Sequence, residues 1–394
     1  MPTVLPFEKL MWVKEPKPRT TARTDEDIAA KYDQKTERIV TETNREKLQN
    51  FYEALNRPGY MDPRPFYQRR QRWDAKRQSL LIESFLINIP IPPLFVYETK
   101  PNVYEVMDGQ QRISAIKAFY SNELILSGLE RWSELNGRTY SRLPDRIRAG
   151  IDRRSITWIT VLNESTENEE EAFVLKQLVF ERLNTGGVQL SHQEIRNALF
   201  AGPFNDLLIS LSRNPNHRKA WNLPLYSEAE ERGVPDYLEE KTFYREMEDV
   251  EVILRFFALR NAEHYQRGMR GFLDLYMMRA KRFSSDHLGV LKELYERTIS
   301  LGLKIYQDLL FKPFNPAKGE WGTRPQKAYA DAVLVSLSGF LDNEESLVPR
   351  REEIIEKTKA LFAQDPSGIL TGRGNTKKDV TDRISWMIGL FASI

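Results

Sequence analysis

Asp108, Gly109, Gln110, Gln111 and Arg112 stand side by side in the chain. A carboxylate, two carboxamides and a guanidinium around one glycine are groups that handle phosphate. Arg112 can pair with phosphate oxygens, and Asp108 can hold a metal ion or orient water. Gln110 or Gln111 can position phosphate or water, and backbone N–H groups from Gly109 onward can cradle an oxygen. The bland alternative is a solvated turn in which Arg112 merely pairs with Asp108 or Glu105. The chain holds no G-x-x-x-x-G-K-[ST] loop, so a nucleotide site here is not a P-loop.

The residues on either side say what positions this turn. Val103, Tyr104, Val106 and Met107 make a strand-prone run. Ile113, Ile116 and Tyr120 recur at helical spacing, with Ala115 and Phe119 beside them. Gly109 therefore lies between a strand and a helix N-terminus, where free N–H groups and the helix dipole favour an anion. Residues 94–97 read as a second strand, paired with 104–107 through a turn at Lys100-Pro101-Asn102. Residues 155–162 read as a third. Residues 78–88 fit a helix ended by Pro90, Pro92 and Pro93, and 169–183 fit another with acidic residues at its start. Ser191 and Glu194 form a capping-box pattern for a helix through Phe200. Residues 22–56 are strongly charged and read as one or two exposed helices and an arm, with disorder expected in the first twenty residues. Beyond about residue 203 strand signals fade, and helices are expected over 248–259, 272–278, 287–310 and 328–341. Residues 365–378 read as a solvated polar loop.

These blocks together resemble a known family. Asp108-Gly109-Gln110-Gln111-Arg112 is similar to the DGQQR signature of the GmrS-like domain of GmrSD-type, modification-dependent restriction systems and related phage-defence proteins, within the wider ParB/sulfiredoxin-like group. Tyr67-Gln68-Arg69 with Trp73 resembles the family's YQR…W element. The run Gln78-Ser79-Leu80-Leu81-Ile82-Glu83-Ser84 followed by Ile89-Pro90-Ile91-Pro92-Pro93 resembles its helix and IPIPP turn. Phe180-Glu181-Arg182-Leu183-Asn184-Thr185-Gly186-Gly187, then Glu194-Ile195-Arg196-Asn197-Ala198, resembles its second polar block. Order and spacing agree over about residues 60–200. The resemblance implies nucleoside triphosphate binding and hydrolysis with Mg2+ at the Asp108–Arg112 turn. Asp108, Gln110, Gln111 and Arg112 would be catalytic, and Gly109, Gln111, Arg112, Arg182 and Asn184 would line the nucleotide. Asp108 would hold the metal. Tyr67, Gln68, Arg69 and Arg72 would meet nucleotide or DNA, since aromatics beside arginines suit stacking and phosphate contact. Trp73 reads better as a core anchor. The two glycines have a helix C-cap reading that needs no ligand, and Glu194 a purely capping one.

Composition bounds the function. The chain has 394 residues, 41% hydrophobic and 29% charged, with a net charge of +2. Global charge thus does not argue for nucleic acid, and any such binding needs a local basic face. Cysteine is absent, which excludes disulfides, thiol catalysis and cysteine-ligated zinc. No apolar run is long enough for a membrane helix, and the N-terminus lacks a signal-peptide pattern. His192, His217, His264 and His287 are dispersed without HNH spacing, so autonomous cleavage of DNA is not expected.

The expectation is a cytoplasmic α+β protein. A charged segment (1–56) precedes a GmrS-like, ParB-type nucleotide domain (57–202) with a small mixed sheet surrounded by helices, and a helical domain (203–394) follows. Its implied role is an NTP-hydrolysing sensor in defence against foreign DNA, with DNA and a separate nuclease effector as partners, and a homo-oligomer is compatible with it. Two alternatives stand: a non-hydrolysing, nucleotide-gated DNA- or partner-binding module, and a weak ParB-like nickase at Asp108 and Glu105. Two acids at those strand positions point to opposite faces, which ranks the nickase last.

Overall fold

The computed structural model describes residues 4–12, 24–26, 41–62, 73–162, 176–179, 182, 191–231 and 235–394. The chain divides into two compact units. One joins Met1–Pro18 to Ser191–Ile394 and opens with the short helix α1 (Pro6–Leu10); the other is Arg19–Leu190. The cuts read from sequence lie elsewhere, at 56/57 and 202/203.

The 19–190 unit holds a mixed sheet. In chain order it runs β1 (Thr41–Lys47), α2 (Leu48–Leu55), β2 (Met61–Asp62), α3 (Ala75–Leu86), β3 (Leu94–Lys100), β4 (Val103–Asp108), α4 (Gln110–Tyr120), α5 (Asp145–Asp152) and β5 (Ser155–Val161). The strand order is β1-β5-β3-β4-β2. β3 and β4 are the expected antiparallel hairpin, and Asn102 takes the positive φ of its turn. β5 pairs in parallel with β3 and antiparallel with β1, and β2 lies parallel to β4. The core lies against one face of the sheet, where Leu94, Val96, Val106, Ile156 and Trp158 meet Phe51, Ile82, Phe85, Ile113, Ile116 and Phe119.

Residues 41–55 depart from the expected exposed helices. Thr41–Lys47 is an edge strand with mostly exposed side chains, so it carries no apolar alternation for a pattern to reveal. α2 then buries Leu48, Phe51 and Leu55 in the core. Within 169–183, helix is seen at 176–179 and 182; the remainder of that expected helix lies outside the described residues.

A buried carboxylate shapes the loop after α4. Glu83 Oε1 accepts from the backbone N–H of Arg131 (2.7 Å) and Trp132 (2.9 Å), and Oε2 from that of Glu130 (3.2 Å). Burial disfavours the charged form, but the N–H groups of Trp132, Arg131 and Glu130 outweigh it and hold the Glu83 carboxyl below its ordinary value. A lowered folded pKa gives stability that is complete above the unfolded value and is lost as pH falls through the folded one. Urea midpoints of wild type and Glu83→Gln should therefore differ near neutrality and converge as pH drops below about 4.5. A gap unchanged down to about pH 3 would show that the charge contributes nothing.

The other unit is helical. After α1 come α6 (His192–Leu199), α7 (Pro203–Ser212), α8 (Pro215–Ala220), α9 (Asp236–Glu239), α10 (Thr242–Arg245), α11 (Glu248–Leu259), α12 (Gly268–Ala280), α13 (Ser285–Tyr306), α14 (Lys327–Leu337), α15 (Glu344–Leu347), α16 (Arg351–Ala363) and α17 (Lys377–Ala392). α14 packs centrally and is buried along its length, apart from a half-exposed Lys327 at its start. Between α13 and α14 a two-stranded ribbon, β6 (Phe314–Asn315) and β7 (Glu320–Trp321), interrupts the helices. Arg196 joins three helices, bonding Asp274 (2.7 Å) and Glu251 (2.9 Å), and Arg255 pairs with Asp331. Residues 4–12, expected to be disordered, instead form α1 and a turn with Glu8 and Trp12 buried. The fold is thus α+β, with a small mixed sheet and a helical C-terminal half. No helix among the described residues is long and apolar enough to cross a membrane.

Candidate functional site

The Asp108–Arg112 segment forms the strand-to-helix turn its sequence implies. Asp108 ends β4, Gly109 is the N-cap of α4, and Gln110 begins the helix. Gly109 has φ +100° and ψ 10°, a left-handed conformation that side chains rarely adopt. A Cβ there would also overlap the buried Leu94 side chain, so backbone and packing both demand glycine. Being glycine, the N-cap offers no side chain to the helix N–H groups, and no acidic residue stands in the first turn. The helix end thus keeps its positive character.

Arg112 reaches back over this turn. Its Nη2 bonds Asp108 Oδ2 at 2.6 Å, while Nη1 donates to the carbonyl oxygens of Pro92 and, at 3.3 Å, Pro93. The Arg112 side chain is 11% exposed and that of Asp108 39%. Burial draws the Arg112 pKa down from its ordinary value and Asp108 opposes that; an arginine remains charged regardless. One side chain therefore staples the proline turn before β3 to the turn after β4. The pairing with Asp108 is the bland alternative weighed above, and it is present in this state of the molecule.

Gln111 has a second positioning task. Its Oε1 accepts from the Trp73 backbone N–H at 3.1 Å, and Gln78 Nε2 donates to the Trp73 carbonyl at 2.9 Å. The Trp73 ring packs half-buried against the core, as its anchor reading requires. On the far side of the preceding segment, Asp62 lies beside Glu105 in the β2–β4 pairing. Asp62 thus lies next to β4 and Trp73 is bonded to Gln111 beside the Gly109 turn. Tyr67, Gln68, Arg69 and Arg72 fall outside the described residues, as do Asn184, Gly186 and Gly187.

Arg182 is described and exposed. Glu105 forms an ion pair with Lys176, whose ammonium also lies 4.8 Å from the Tyr97 ring centroid. That partner was not legible, since seventy-one residues separate the pair. Ser191 and Glu194 form the expected capping box, with Glu194 Oε2 on the Ser191 N–H at 2.8 Å. Sequence reasoning missed the Pro92 and Pro93 carbonyls as Arg112 acceptors. The IPIPP run was the available signal, but it reads first as a helix stop.

A Mg2+ ion fits the donor set only as a shared ligand. No group of three or more His, Cys, Asp or Glu among the described residues could hold a metal ion. Magnesium characteristically takes one or two carboxylates, with phosphate oxygens and waters completing its shell. The partly exposed Asp108 carboxylate suits that arrangement.

Residues 48–201 match the family model described as GmrSD restriction endonuclease, N-terminal domain. No curated protein and no solved structure matches the chain. The matched span contains the Gly109 turn, Arg112 and the proline turn. It leaves out the edge strand β1, which completes the sheet, and runs past residue 190 into α6 of the helical unit.

Proposed function

From a GmrSD-type N-terminal domain at residues 48–201, whose type points to a restriction or defence system, we propose that the Gly109 turn binds and hydrolyses a nucleoside triphosphate. The observation that carries this reading is the glycine N-cap of α4, which has no side chain to set against the helix end, with Asp108 and Arg112 in contact beside it. Phosphate oxygens would lie at the helix end, where N–H dipoles and the Arg112 charge meet them. Asp108 would share Mg2+ with the phosphates, the ion supplying charge neutralisation when bound. Gln111 and Arg112 also act as positioning residues, because they tie the Trp73 backbone and the Pro92–Pro93 turn to the site. The protein would sense DNA in the cytoplasm, with residues 67–72 among its contacts, and signal to a separate nuclease.

A non-hydrolysing switch is the second reading, and one observation favours it. Arg112 already has three acceptors, so ligand entry that drew it away would release the proline turn without any chemistry. Phosphate release and binding should be measured together for each ribonucleoside triphosphate with Mg2+. Turnover is expected. Binding without turnover would select the switch, and neither binding nor turnover by the full chain would sink both readings.

A further inference from the structure

Residues 136–154 contain six arginines and two aspartates, in a chain whose 58 basic and 56 acidic residues nearly balance. They form a loop with a 3-10 turn (Tyr140–Arg142) and then α5. α5 turns Ile147 and Ile151 toward the core, so Arg146, Ala149 and Gly150 face solvent, and Arg153 follows, exposed, at its C-cap. Arg138 Nη1 donates to the Arg142 carbonyl at 3.2 Å, which joins the loop arginines to one another.

The two local acids are already engaged. Asp145 bonds Arg148 at 2.6 Å. Asp152 accepts the hydroxyls of Tyr120 and Tyr140 at 3.0 Å each. Arg154 is held by the Leu86 carbonyl. Arg142, Arg146 and Arg153 are exposed and have no ion pair among the described residues. Like charges gathered without counter-charges raise the local potential and draw in a polyanion. Ala149 and Gly150 leave the helix surface low between Arg146 and Arg153. Those two are separated by about 10 Å at 1.5 Å per residue, close to the axial rise of about three nucleotides along one DNA strand. Arginine forks match phosphate geometry.

We propose that this arginine face binds the phosphate backbone of double-stranded DNA without reading its sequence. The choice of DNA among polyanions rests on the restriction-type domain; the face itself does not depend on nucleotide chemistry at Gly109. Binding of the full chain to a fluorescent duplex of mixed sequence, titrated at several salt concentrations, tests it. The triple variant Arg142→Gln, Arg146→Gln, Arg153→Gln should bind about ten-fold or more weakly at low salt, and its log–log salt slope should be shallower by about three. Neutralising Lys292, Lys318 and Arg324, which are exposed in the helical unit, should leave both unchanged. Nucleotide turnover is read in the same samples, so a triple variant that turns over normally but binds DNA poorly separates this face from the Gly109 site. Wild-type affinity and slope in the triple variant would overturn the proposal. So would a wild-type chain that ignores duplex DNA, or one that prefers RNA or anionic vesicles.

Discussion

Asp108→Asn is expected to lower nucleotide turnover by about 100-fold or more, the scale of losing one charged stabiliser of a phosphoryl-transfer transition state. The substitution keeps the volume of the side chain and an oxygen that can still accept from Arg112 Nη2. It removes the charge that would hold Mg2+. The fold should survive, because Asp108 is partly exposed and its neighbours Val106 and Met107 carry the packing of β4. Nucleotide affinity without Mg2+ should not fall and should rise modestly, since with no metal to hold Asp108 only repels phosphate. Arg112→Lys should behave differently. A lysine offers one ammonium where the guanidinium now reaches Asp108, Pro92 and Pro93 at once. Both affinity and turnover should fall, together with the melting temperature. Burst and steady-state phosphate release with Mg2+, compared with nucleotide binding without it, distinguish these patterns. Undiminished turnover in Asp108→Asn would remove Asp108 from the chemistry and leave it as the counter-ion of a structural arginine.

Local order around the turn was legible because it is written in consecutive residues. Strand-prone Val103–Met107, a glycine and a helical repeat from Ile113 leave little choice of local structure, and the observed φ at Gly109 follows from that order. What escaped is long-range. Thr41–Lys47 has no apolar face, since an edge strand with exposed side chains needs only backbone partners. The role of Arg112 depends on carbonyls nineteen and twenty residues away. Arg196 stood in a recognisable motif block, yet its salt bridges go to Asp274 and Glu251, so that part of the motif builds the helical unit. The arginine face was countable in sequence. Only the structure separates Arg142, Arg146 and Arg153 from the arginines that have partners.

Glu8→Ala should cost the helical unit about 3–5 kcal/mol, a drop of about 10 °C in melting temperature. In sequence Glu8 sits in Pro6-Phe7-Glu8-Lys9-Leu10, between prolines and charges that suggest a frayed end. In the fold its side chain is fully buried, as is that of Arg260. The carboxylate accepts from Arg260 Nη2 (2.8 Å) and Nη1 (3.3 Å), Asn261 Nδ2 (3.3 Å), the Tyr276 hydroxyl (2.8 Å) and the Leu5 N–H (3.1 Å). Burial, with Glu8 adding to it, raises the Tyr276 pKa well above the ordinary value, so that hydroxyl remains a donor at every working pH. Desolvating two charges is costly, and such a pair holds only when its remaining hydrogen-bond capacity is filled. The Glu8 carboxylate has that capacity filled, mostly by groups some 250 residues distant in sequence, which fastens the chain's beginning to α11 and α12. Trp12 reinforces the attachment, donating to Asn261 Oδ1 at 3.0 Å and stacking on His264 and Phe272. Alanine at position 8 takes from the buried Arg260 charge the carboxylate it faces. The double variant Glu8→Ala, Arg260→Met removes that buried charge as well and should regain part of the loss, so the two substitutions should be strongly non-additive. Thermal melts of the single and double variants measure the coupling. Additive effects, or a Glu8→Ala protein that melts like wild type, would mean that the first residues do not seal this unit in solution.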